Sequence, residues 1–68
     1  MPSWEERHRQ AEQHVLQGRQ TIERQRTLIV RQKGLGQNTT ASEAVLASFE
    51  RSQANFEADW ARIKGERE

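Results

Sequence analysis

Two histidines are the side chains best suited to metal or acid–base chemistry, and their spacing argues against both. His8 and His14 lie six residues apart, whereas two ligands share one helix face at a separation of three or four. His8 and Glu12 have that separation, but one such pair arises by chance in many helices. Cysteine is absent, which excludes thiolate zinc sites and a disulfide framework. Gly34-Leu35-Gly36 follows a predicted helix rather than a strand, so it lacks the setting of a dinucleotide-binding loop. Ser42, Ser48 and Ser52 sit in no recognisable nucleophile pattern and read as solvating or packing residues. No catalytic, metal-ligating or cofactor-binding residue is therefore expected, and the chain does not read as an enzyme.

Charge is more informative. The first 33 residues hold seven basic and four acidic groups, and the remainder four basic and six acidic. The halves are thus +3 and −2. Within 19–33 the cations Arg19, Arg24, Arg26, Arg31 and Lys33 face one acid, Glu23. Such a stretch could contact the phosphates of a nucleic acid, whose affinity is mostly electrostatic, or a protein partner. The simpler expectation is that opposite charges attract across the fold and the arginines form a solvated face. No aromatic residue interleaves the basic stretch, which argues against single-strand stacking.

These residues need elements to hold them, and 68 residues make one domain at most. Apolar residues are 32 % and charged ones 31 %, with a mean hydropathy of −1.09. Composition alone leans toward disorder, but the apolar positions are patterned. The single proline, Pro2, leaves every later position free for helix. Ser3-Trp4-Glu5-Glu6 reads as a capping box opening a first helix. From there Trp4, His8, Ala11, Val15, Gly18, Ile22, Gln25 and Ile29 recur in alternating steps of four and three, a heptad seam. Gly34 is the expected left-handed stop, with Leu35 packing back on Val30 in a Schellman motif. Thr39 or Thr40 caps the second helix, with Thr40-Ala41-Ser42-Glu43 favouring Thr40. Its seam is Ser42, Leu46, Phe49, Gln53, Phe56, Trp60 and Ile63, and Gly65 is its expected stop.

The expected fold is all-α, an antiparallel two-helix hairpin over about 4–33 and 40–64, in a single domain with frayed ends at 1–3 and 65–68. Pairing outward from the turn brings Ile29 to Val45 and Leu46, Gln25 to Phe49, Gly18 to Phe56, Val15 to Trp60 and Ala11 to Ile63. Small opposite large at Gly18/Phe56 is what interdigitating layers need. Gln25 and Gln53 interrupt the seam, either to fix register or as wet edges.

A hairpin this small is short of core. Single cores in such chains rarely supply more than about 3–5 kcal/mol. Fourteen larger apolar side chains are present, and seven cluster near the turn: Leu28, Ile29, Val30, Leu35, Val45, Leu46 and Phe49. One facing helix cannot cover them. A homodimer forming a four-helix bundle is expected, with Val15, Gly18, Ile22, Gln25, Leu28, Ile29, Val45, Leu46, Phe49, Phe56 and Trp60 as its packing seam. The opening residues show no apolar signal region and the longest apolar run is Leu28-Ile29-Val30. Neither a signal peptide nor a membrane span is expected, and the cytoplasm is the default location.

The run His14-Val15-x-x-Gly18-x-x-x-Ile22-x-Arg24-Gln25-x-x-Leu28-Ile29 resembles a family of small, uncharacterised bacterial helical-hairpin proteins. Gly36-x-Asn38-Thr39 and Leu46-x-x-Phe49-Glu50 resemble the same family. Its members commonly carry an aspartate where this chain has Asn38 and an apolar residue where it has Gln53. The likeness spans about residues 14–50. It implies the helical hairpin and brings no assigned activity. The expected role is a non-enzymatic protein–protein interaction module that self-associates. The alternative is a small nucleic-acid-associated regulator using residues 19–33.

Overall fold

The computed structural model describes residues 1–67; Glu68, the last residue expected to fray, lies outside the described residues. Two helices, α1 (Trp4–Gly34) and α2 (Thr40–Gly65), pack against each other as an antiparallel hairpin. Ser3 opens α1 as expected, its hydroxyl accepting from the Glu6 N–H (3.2 Å). Glu5 and Glu6 occupy the first turn, Arg31 and Lys33 the last, each complementing the helix dipole. The Glu5 carboxyl is held below its ordinary range by its own backbone N–H and then by the Arg67 guanidinium.

The turn corrects three expectations. Gly34 is helical, and the left-handed residue is Gly36, at φ +71°. The Gln37 N–H reaches the Gln32 carbonyl (2.9 Å) and the Gly36 N–H reaches Lys33 (3.1 Å). This is a Schellman pattern set two residues later than expected. That shift makes Gln32 and Gln37 the pair that would pack across the motif. Leu35 and Val30 therefore do not close on each other and stand 68 % and 70 % exposed. The third correction is the cap of α2. Thr39, not Thr40, precedes the helix, and it makes no side-chain cap bond. Asn38 Oδ1 instead accepts from the Thr40 N–H (2.8 Å) in an Asx turn.

The seam is built from Ala11, Val15, Ile22, Ile29 and Ile63, all buried, with Val15 fully so. At the open end Ala11 and Ile63 line one groove, and Trp4 Nε1 donates to the Ile63 carbonyl (2.8 Å). Leu28 and Val45 lie at the edge of the seam between the two helices, 39 % and 42 % exposed. Gly65 is helical, and Glu66 and Arg67 pair with Arg7 (2.8 Å) and Glu5 (2.8 Å) of α1.

Both seam glutamines bond across the interface. Gln25 Nε2 donates to the Ser42 carbonyl (2.9 Å), and Gln53 Nε2 donates to the Val15 carbonyl (2.9 Å). Gln53 is only 7 % exposed, so it is a core residue rather than a wet edge. The residue that fills the space over Gly18 is Gln53, not Phe56. A Cβ on Gly18 would lie 1.7 Å from Gln53 Oε1. Glycine leaves the notch that lets the amide reach the opposite backbone.

Candidate interaction surfaces

The heptad that sets the seam also fixes its two flanks. On one flank stand Arg19, Arg26 and Lys33, spaced by seven, opposite Glu57, Glu50 and Glu43, also spaced by seven. Each pair meets: Arg19–Glu57 at 2.7 Å, Arg26–Glu50 at 3.3 Å and Lys33–Glu43 at 3.4 Å. The charge difference between the helices is thus satisfied across the hairpin, as the simpler expectation held. Each pair is exposed, so each contributes little, on the order of 0.2–1 kcal/mol. Their worth lies in alignment.

The other flank carries Arg7, His14, Thr21 and Leu28 at the same seven-residue spacing, opposite Glu66, Asp59, Ser52 and Val45. Only its outermost rung, Arg7–Glu66 (2.8 Å), is an ion pair between the helices. Asp59 turns to Arg62 of its own helix (3.1 Å). Two grooves between the helices open on this flank. One, of about 220 Å³, is lined by Gly18, Thr21, Phe49, Ser52, Gln53 and Phe56 among others. The second lies between Ala11, His14, Phe56 and Ile63, with Arg7 and Arg62 at its rim. His14 leans against Phe56, ring centroids 5.1 Å apart.

Of the five cations expected to meet a partner or phosphate, three form the ion-pair flank. Arg24 and Arg31 remain beside Leu28, in a shallow recess that also includes Glu23 and Thr27. Neither lies within 4 Å of a carboxylate among the described residues.

Near the open end an aromatic cluster ties the helices together. Trp4 and His8 stack at 4.9 Å, and Trp60 Nε1 donates to His8 Nε2 (3.3 Å). An accepting Nε2 requires a neutral imidazole with its proton on Nδ1. Lys64 Nζ lies 4.5 Å from the Trp60 ring centre and the Arg67 guanidinium 4.7 Å from that of Trp4. The four-residue spacings Trp4–His8 and Trp60–Lys64 are visible in the sequence and carry this signal. His8 is thereby occupied, and no group of three or more metal-competent side chains occurs among the described residues.

No family model, curated protein or solved structure matches this chain. Any functional reading therefore rests on its surfaces. No helix among the described residues is long and apolar enough to cross a membrane.

Proposed function

We propose that this chain is a non-enzymatic interaction module whose hairpin pairs with a second copy into a four-helix bundle, forming a platform on which a further protein partner docks. The observation that carries this reading is the apolar edge at the turn end, where Leu28 and Val45 stay well exposed beside the half-buried Leu46 and Phe49. Two helices touch along one line and bury five apolar side chains, a thin core for a cooperative fold. A second hairpin adds the missing layer with the ordinary packing of such bundles.

Sedimentation equilibrium tests this directly. A particle of twice 7.9 kDa at micromolar concentration is the expected result. A monomer at high micromolar concentration with full helicity overturns it.

The nucleic-acid reading draws on Arg24 and Arg31, which are free of the ion-pair flank. It predicts binding to random duplex that weakens steeply as salt rises. Absence of binding at low salt removes it.

A further inference from the structure

The two broad faces of the hairpin differ in kind, and the difference selects one of them as the surface between copies. Side by side, the helices form a slab whose long dimensions are 49 and 21 Å and whose thickness is 14 Å. One broad face carries the three ion pairs among Arg19, Arg26, Lys33 and their glutamates. Covering it would strip water from six charges, a desolvation cost that their mutual attraction need not repay. Over its middle the opposite face carries no ion pair between the helices among the described residues: Thr21 and Ser52 line the groove with Phe49 and Phe56, Leu28 and Val45 stand exposed beyond it, and Arg24 and Arg31 lie beside Leu28.

We infer that a second copy of this chain docks on the Thr21/Ser52 face, related by a two-fold axis parallel to the helices. This rests on the self-association reading and adds to it the face and the symmetry. Three of the four rungs of this face set like or complementary groups side by side: Arg7 by Glu66, Thr21 by Ser52, Leu28 by Val45; on the fourth, His14 stands by Asp59, whose carboxylate pairs with Arg62. A two-fold along the helices lays α1 of one copy over α2 of the next. On those three rungs each group then meets the partner of its own rung: cation over carboxylate, hydroxyl over hydroxyl, apolar over apolar. A two-fold across the helices would instead lay Leu28 on the second copy's His14, and Arg7 on the apolar turn end. Closed two-fold pairing through one self-complementary patch is the commonest way for a chain to associate. The area also fits. A face of 49 by 21 Å exceeds the ~800 Å² that each member of a stable pair contributes.

The chain has no cysteine, so introduced thiols report cleanly. Three single variants of the full chain are needed, Thr21→Cys, Ser52→Cys and Leu16→Cys, the last on the ion-pair side. Each is checked for wild-type helicity by circular dichroism. On mild oxidation, mixing Thr21→Cys with Ser52→Cys should convert most of the protein to a disulfide-linked pair of unlike chains. Neither variant should link efficiently by itself. Efficient linking of Thr21→Cys alone and Ser52→Cys alone would overturn the axis. Linking through Leu16→Cys, or no linking anywhere in a chain that sediments as a dimer, would overturn the face while leaving self-association intact. A wild-type monomer would remove the self-association reading and this one with it.

Discussion

Replacing Gly18 by alanine should destabilise the hairpin in the wild-type background and stabilise it once Gln53 is gone. In an ordinary helix interior this change gains about 1 kcal/mol. Here the new methyl would sit 1.7 Å from Gln53 Oε1 and 2.8 Å from its Cδ. The amide must leave, and with it the bond to the Val15 carbonyl. Losing a buried hydrogen bond and stranding its amide costs about 1–3 kcal/mol. The net expectation for Gly18→Ala is therefore a loss of up to about 2 kcal/mol, or up to roughly 16 °C in Tm for a chain this size. In a Gln53→Ala background the notch is empty and the same change should gain about 1 kcal/mol. Thermal and urea melts of the four chains of this cycle, at one fixed protein concentration because pairing shifts apparent stability, give the coupling directly. Equal effects in the two backgrounds, or a stabilised Gly18→Ala single variant, would refute the claim that glycine is there to admit the glutamine.

Two further outcomes follow from the turn and the aromatic end. Gly36→Ala should cost about 1–2 kcal/mol, because its φ of +71° is left-handed, whereas Gly34→Ala should be neutral or gain about 1 kcal/mol as a helical position with open space around it; melts in which Gly34→Ala is the worse of the two would return the stop to Gly34. Replacing His8 by alanine removes both its stack on Trp4 and the acceptor of the Trp60 Nε1–H and should cost about 1–2 kcal/mol; a melt unchanged from wild type would show that the cluster adds no stability.

The helices, their antiparallel pairing and the seam are legible because a heptad leaves few choices for what faces what. Val15, Ile22, Ile29 and Ile63 are buried where the pattern puts them. Two details are not legible. Gly34-Leu35-Gly36 offers two glycines as stops, and only the backbone bonds of Gly36 and Gln37 decide between them. Counting residues back from the turn places Phe56 opposite Gly18. Gln53 takes it instead because its amide, unlike a ring, can bond the Val15 carbonyl beyond. The surfaces are partly legible. Charge counted by helix foretells attraction between helices, whereas sorting the same residues by flank separates the face with three ion pairs between the helices from the one with Thr21, Ser52, Leu28 and Val45 at its middle.

The ion-pair flank also works as a ruler. The next heptad positions beyond Arg19 and Glu57 are Glu12 and Lys64, where the order of charge reverses. Sliding one helix by a heptad in one direction keeps some attractive pairs but sets Glu12 against Glu57; sliding the other way sets Arg19 against Lys64. The glycine notch opposes the same slips, since either one confronts Gln53 with Ala11 or Gln25 in place of Gly18. A seam of repeating sevens would otherwise tolerate translation. This chain has a single alignment marked twice, once in charge and once in volume, and the marking holds whether the two helices belong to one molecule or are exchanged between two.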